Sequence, residues 1–300
     1  MKGIQWLETQ LTGMEVRRME PMSRHTTFRI GGPADLMVLP ANASEAAQAL
    51  RAAKEAEVPV TVIGNGSDLL VRDGGIRGMV LKLGENMAEK KAEGNMLTFG
   101  AGLTLARAAT FAASQGLTGM EFAHGIPGSV GGAVFMNAGA YDGEMKQIVR
   151  RTWYLDEALE LKVLEGEAHE FAYRNSVFQH HPWIVMATQV ELQPGDPAAI
   201  ASKMEDLMSR RKEKQPLEWP SAGSTFKRPT GYFAGKLIQD AGLRGYRVGG
   251  AMVSEKHCGF VVSDGTATCE DVLGVIRHVQ QTVQEKFGVS LECEVRIIGE

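Results

Sequence analysis

Two glycine clusters about 60 residues apart constrain this chain more than any other feature. The first, Gly64-Asn65-Gly66-Ser67-Asp68-Leu69, follows a β-branched run at residues 59–63 that reads as a strand. Glycine tolerates positive φ and close backbone approach, so successive N–H groups there can nest around a phosphate, with Asn65 and Ser67 adding side-chain hydrogen bonds. The second runs His124-Gly125-Ile126-Pro127-Gly128-Ser129-Val130-Gly131-Gly132-Ala133 and continues through Asn137-Ala138-Gly139-Ala140-Tyr141. Pro127 suits the start of a helix whose leading N–H groups point outward toward an anion. Gly131 and Gly132 are poor helix formers, which implies something packed closely against that backbone. Either cluster alone also fits an ordinary turn, and His124 alone reads as a satisfied structural histidine. Two clusters joined by intervening strands suit a ligand with two phosphates and a long body, and a dinucleotide such as FAD meets that requirement.

The order of elements narrows the fold. In a nicotinamide-type βαβ unit the phosphate-binding glycines follow the first strand. Here a strand at 35–40 leads to an Ala-rich helix, capped at Ser44 and running to about Glu57, then to the strand at 59–63, and only then to glycine. No GxGxxG fingerprint stands where that fold needs one. Upstream, a helix is expected from Gly3 to about Arg18. Downstream, strands are expected at 79–83, 95–100, 148–155, 159–164 and 184–192, with helices at 104–114, 198–213, 232–241 and 268–287. A last strand is expected from Cys293 to Ile298. Pro194-Gly195-Asp196-Pro197 punctuates the chain like a domain boundary. The expected architecture is α+β in three lobes, in which residues 1–78 and 79–195 clasp the cofactor and 196–300 presents the substrate-binding groups.

Composition removes several classes of function. At 300 residues the chain is long enough for two or three lobes, and 44% apolar with 23% charged residues is ordinary for a globular protein. The net charge of -4 is spread along the chain with no basic block, so no nucleic-acid partner is expected. No apolar run approaches the ~20 residues of a membrane span and no leader is visible, so the expectation is a soluble, cytoplasmic protein with no membrane partner. Cys258, Cys269 and Cys293 form no CxxC pair and read as reduced, buried thiols, with no metal. His257-Cys258 is rejected as a nucleophilic pair because neighbours on a strand point to opposite faces.

Further motifs carry a resemblance. The two glycine clusters resemble the FAD-binding fold of the vanillyl-alcohol-oxidase class. Thr27-Phe28-Arg29-Ile30-Gly31-Gly32-Pro33-Ala34, Tyr173-Arg174-Asn175-Ser176, Ser221-Ala222-Gly223-Ser224-Thr225-Phe226 and Glu294-Val295-Arg296-Ile297-Ile298-Gly299 extend it. In that order they resemble the UDP-N-acetylenolpyruvoylglucosamine reductase family from about residue 20 to the C-terminus. The resemblance implies FAD, held non-covalently by Gly64, Asn65, Gly66, Ser67, Asp68, Gly125, Ile126, Pro127, Gly128, Ser129, Gly131, Gly132, Asn137, Ala138 and Gly139. It implies NADPH as co-substrate and a UDP-sugar, UDP-N-acetylglucosamine enolpyruvate, reduced to UDP-N-acetylmuramate for peptidoglycan.

In the implied chemistry, hydride reaches the alkene terminus by way of FAD, and the neighbouring carbon, conjugated with the carboxylate as an enolate, takes up a proton. Ser224 matches the proton donor. Arg174 brings permanent charge and forked donors to the enolate oxygens. Glu294 matches a carboxylate on the proton-transfer side, sharing by alternation a strand face with Arg296 and Ile298. Lys214, Lys227 and Arg228 are candidates for the diphosphates, although the cations of Arg210–Lys214 also suit a helix C-terminus. The short link between Gln179 and the strand at 184 matches the family's shorter branch, which lacks a substrate-capping tyrosine loop; Tyr232 and Tyr246 are the candidates to replace it, while the aromatics at 232–233 read more readily as core. A cradle-sharing oxidase and a flavin-binding sensor are the rival functions, and anaerobic reduction by NADPH separates all three. Only small-molecule partners are implied, and a monomer is expected.

Overall fold

The computed structural model describes residues 2–300, and in it Asn42 opens the first long helix, Ala43–Ala56. The Asn42 side chain accepts from the Glu45 N–H at 2.9 Å, while Glu45 accepts from the Ala41 N–H at 2.9 Å. Such capping satisfies N–H groups that a helix start leaves without partners, and it places the cap two residues before the expected Ser44. The N-terminal helix is shorter than expected. It spans Gly3–Thr9, after which Gly13 at φ +87° takes the chain into the strand Glu15–Pro21. Left-handed backbone cannot propagate a helix, which ends the run well before Arg18.

The chain forms two compact units instead of three consecutive lobes. One comprises the chain up to Arg18 with Leu36–Asn65 and Gly78–Arg211; the other comprises Met19–Asp35, Gly66–Arg77 and Lys212–Glu300. Backbone pairing explains the difference. The final strand, Arg296–Ile298, runs parallel to Leu69–Val71 with Ile297 opposite Leu70, which recruits residues after the first glycine cluster into the C-terminal unit. The punctuation at Pro194 is not a boundary, because Gln193 and Pro194 pair with Thr118 and Leu117 and the Gly195 N–H bonds to Gly116 O at 2.9 Å.

In the first unit, a five-stranded antiparallel sheet runs in the order Leu161–Glu165, Val149–Leu155, Ile184–Glu191, Met96–Gly100, Lys90–Glu93. Leu97 and Phe99 are fully buried, as strand alternation requires for one face against a core. A second sheet holds Val60–Ile63 as an edge strand, parallel to Ile76–Lys82 with Val60 opposite Met79. Gly64 therefore follows the carboxyl end of a parallel strand, where α/β sheets commonly receive ligands.

In the second unit, the helix Cys269–Phe287 buries Val272, Val275, Ile276, Val279 and Val283, a 3.6-residue stripe. Its start is a capping box: Thr268 accepts from the Asp271 N–H at 3.1 Å and Asp271 from the Thr268 N–H at 3.0 Å. Asp73 completes it, accepting from the N–H groups of Cys269 and Glu270 at 2.9 and 3.3 Å. Asp73→Ala should therefore lower unfolding free energy by about 1 kcal/mol; an unchanged urea midpoint would show that Thr268 suffices. All three cysteines are free, and burial, with Asp73 adding, pushes the Cys269 thiol up to about 11. Among the described residues no helix is long and apolar enough to cross a membrane.

Candidate functional site

The two glycine clusters meet within the first unit. A Cβ on Gly64 would stand 2.3 Å from Ser129 Oγ, and the Asn65 side-chain amide donates to Pro127 O. The second cluster is fixed from behind, since the Leu105 N–H bonds to Gly128 O at 2.9 Å. Its helix spans Val130–Met136 with Ser129 at the N-cap, so Pro127 precedes the helix instead of starting it. The leading N–H groups also do not point outward. Those of Val130 and Gly131 bond to Leu103 O and Ala101 O at 2.8 and 2.9 Å. Gly131 is glycine because a Cβ would lie 2.9 Å from the Ala101 Cβ, whereas Gly132 is exposed and its nearest neighbour would be 3.6 Å away.

Three polar atoms bordering these clusters are buried without a hydrogen-bond partner among the described residues: Ser129 Oγ, His124 Nδ1 and Arg211 Nε. Each such group costs roughly 1–3 kcal/mol when left unsatisfied, and more when charged. His124 is thus not the satisfied structural histidine its isolation suggested. A hydroxyl, an imidazole and a guanidinium around two glycine turns suit the phosphates and polar ring edges of a dinucleotide, so the residues present fit FAD. Gly64→Ala should push a methyl group into Ser129, a strain of about 1–3 kcal/mol. FAD affinity should then fall about tenfold or more, measured by retention of visible absorbance on dialysis; full retention would remove the Gly64–Ser129 contact from the cradle.

The rest of the first cluster belongs to the second unit. Gly66 lies at φ +63°, and a Cβ there would collide with His25 O. Gly66 O accepts from the Thr27 N–H at 3.2 Å, Thr27 Oγ1 donates to Ser221 O at 2.7 Å, and the Arg296 N–H bonds to Asp68 O at 2.9 Å. Ser67 O stands 3.4 Å from the same Thr27 hydroxyl. Thr27 therefore joins the glycine turn to the segment that carries Ser224. Asn137 departs from its expected role. Its side chain donates to Glu144 Oε2 at 3.1 Å and Ala172 O at 2.9 Å and accepts from the Lys146 N–H at 2.9 Å. Its amide is spent on bracing the turn at Ala138–Gly139, where Gly139 pairs with Glu144.

Arg174 lies in the first unit, half-buried, at φ +51°. Its Nη2 reaches Gly139 O at 3.5 Å, its guanidinium stands 5.4 Å from the Tyr173 ring, and its carbonyl accepts from Gln179 Nε2 at 2.9 Å. Left-handed backbone at a non-glycine residue costs about 1–2 kcal/mol and concentrates at functional sites. Ser224 is exposed and Glu294 half-buried in the second unit, on two extended segments held in register. Phe226 bridges Cys293, the Glu294 N–H bonds to Thr225 O at 2.9 Å, and the Lys227 N–H bonds to Glu292 O at 2.9 Å. Glu294 thus lies before the final strand, and this registration, not alternation with Arg296 and Ile298, brings its segment beside that of Ser224.

The cations differ in their surroundings. Lys227 Nζ is paired with Glu292, Lys214 is exposed at the end of the helix Pro197–Lys214, and the Arg228 guanidinium lies 4.0 Å over the Phe233 ring. Tyr232 and Phe233 are exposed ahead of the helix Ala234–Asp240, not in the core, while Tyr246 stacks on His278 at 4.1 Å. His257 and Cys258 lie in a turn, not a strand. Burial raises the Cys258 thiol and lowers the His257 imidazole, which accepts from the Gly259 N–H at 3.1 Å, so the pair remains unsuited to nucleophilic attack for a different reason.

Two family models match the chain: an FAD binding domain over residues 34–158 and the UDP-N-acetylenolpyruvoylglucosamine reductase C-terminal domain over residues 215–298. The chain belongs to the UDP-N-acetylenolpyruvoylglucosamine reductase family. It is 52% identical to that reductase from Clostridium perfringens over 93% of this chain and 91% of the relative. The reductase of Lachnoclostridium phytofermentans is 50% identical over 99% and 97%. The crystal structure of the Thermus caldophilus reductase aligns with a TM-score of 0.82 at 34% identity, covering 95% of this chain and 100% of that one. Arg211, which the sequence offers only as one cation of the helix-end cluster Arg210–Lys214, is placed against Gly125 of the second glycine cluster. A signal was present: Ile200, Met204, Met208 and Arg211 follow helical spacing, and Ile200 is buried.

Proposed function

We propose that this chain reduces UDP-N-acetylglucosamine enolpyruvate to UDP-N-acetylmuramate with NADPH, and that Arg174, Ser224 and Glu294 carry the chemistry. Family membership along nearly the whole chain carries the reading, and the fit of the cradle to FAD supports it. When bound, FAD supplies the relay for hydride between NADPH and the alkene. The protein's own part is the charge and the proton. Hydride addition at the terminal carbon leaves an electron pair on its neighbour, delocalised into the carboxylate. Arg174 holds those oxygens with a fixed charge and a planar fork. The Ser224 hydroxyl gives its proton to the carbon, which is basic enough to take it from an otherwise weak acid. Glu294, on the segment beside it, orients that hydroxyl and supports its return to the neutral form. Lys214 and Arg228 meet the diphosphate, with Lys227 weakened in that role by Glu292. The enzyme acts as a cytoplasmic monomer supplying peptidoglycan precursors for cell shape and division.

The test is anaerobic. The purified protein is reconstituted with FAD, reduced with NADPH, and then given the enolpyruvyl sugar while its visible spectrum is followed. Rapid return of the oxidised spectrum is expected. A protein that reduces but stays reduced would retain FAD and NADPH and lose the substrate; one that takes up no FAD would overturn the reading.

A further inference from the structure

Arg211 is a permanent cation whose Nε has no hydrogen-bond partner among the described residues. It lies on the inward face of the helix Pro197–Lys214, whereas its neighbour Arg210 faces solvent and pairs with Asp206 at 2.8 Å. A Cβ on Gly125 would stand 2.9 Å from Arg211 Cδ and 3.5 Å from Nη1, so the side chain lies directly across the first glycine of the second cluster. Its Nε is buried with no hydrogen-bond partner among the described residues. Burial pulls the guanidinium below its ordinary range, and the Tyr141 phenol offsets this only in part. Desolvating a cation without a counter-charge costs several kcal/mol, a cost that a bound anion would offset.

FAD carries two candidates for that anion, its diphosphate and its reduced ring. The diphosphate of FAD suits the contact of Gly64 and Asn65 with Pro127 and Ser129. Arg211 lies across Gly125, and the Tyr141 phenol acts on its charge. Tyr141 belongs to the hairpin at Gly139–Glu144, whose Gly139 carbonyl also receives Arg174. Within the first unit, Arg211 is therefore at the hairpin that also receives Arg174. We infer that Arg211 is a positioning cation for the flavin ring, holding the negative charge the ring acquires on reduction. Taking up two electrons and one proton turns a neutral ring into a monoanion. A fixed charge in a water-poor setting favours that product over the oxidised form. This rests on the FAD reading above and goes beyond it, because it assigns Arg211 to one redox state.

The experiment is a redox titration of FAD-loaded protein, made without the sugar substrate. Arg211→Met should bind oxidised FAD within a few-fold of the unaltered protein, while its affinity for reduced FAD falls about 100-fold, which lowers the midpoint potential by about 60 mV. Arg211→Lys, which keeps the charge, should recover most of that shift. Equal weakening of both redox states would assign Arg211 to the diphosphate and overturn the proposal, as would an unchanged potential. If Arg211→Met retains no FAD, Arg211→Gln is measured instead, with the same two outcomes deciding. A normal shift in a protein that fails to turn over the enolpyruvyl sugar would refute the proposed substrate and leave the role of Arg211 standing.

Discussion

Ser224→Ala is expected to slow reoxidation of the reduced enzyme by the enolpyruvyl sugar about 10³-fold while leaving reduction by NADPH nearly intact. A positioned general acid contributes roughly 10²–10⁴-fold, and only the second half-reaction consumes a proton at carbon. The fold should not suffer, because Ser224 is exposed and the segment is held by its backbone: Thr225 N–H to Gly259 O at 2.8 Å and Lys227 N–H to Glu292 O at 2.9 Å. Thr225 Oγ1, which accepts from the Val261 N–H at 2.9 Å, is untouched. Rapid-mixing measurement of each half-reaction decides the matter. Equal losses in both would mean that the substitution disturbs the cofactor site, and no loss in the second would move the acid elsewhere.

Arg174→Met should cost about 10²–10³-fold in the same half-reaction, the scale seen when one preorganised donor to a developing anion is removed. Arg174→Lys should recover only part of this, because an ammonium supplies charge without the planar fork that spans two carboxylate oxygens. The backbone offers an internal control. At φ +51° the chain is strained for any side chain, so Arg174→Gly should preserve or raise the urea midpoint while abolishing the same chemistry. A lysine variant as fast as the parent would show that charge alone suffices at this position. Retained activity in both the methionine and glycine variants would remove Arg174 from the reaction.

Much of the fold is legible because it rests on local chemistry. The 3.6-residue stripe of the helix Cys269–Phe287, the β-branched strand Val60–Ile63 and the glycine turn after it are each specified by neighbours within a few residues. Capping is legible too, with a small error: Asn42 and Ser44 have similar chemistry, and only the hydrogen bond to the Glu45 N–H shows which one caps. The candidate site is half legible. Gly64, Gly125 and Ser129 follow from the permissiveness of glycine and the order of motifs. Asn137 sits among them in sequence, yet Glu144, Ala172 and Lys146 claim its amide.

By itself the sequence determined the longer helices and the central strands, the two glycine turns and the family. Only the tertiary structure decided that residues 66–77 join the C-terminal unit, that Glu294 is registered beside the segment of Ser224, and that Arg211 lies against Gly125 while Arg210 pairs with Asp206. The physical reason is range. Propensities, caps and turns act over a few residues, whereas strand pairing between Arg296 and Leu69, the bond from Glu294 to Thr225 and the desolvation of a single arginine depend on segments brought together from far along the chain.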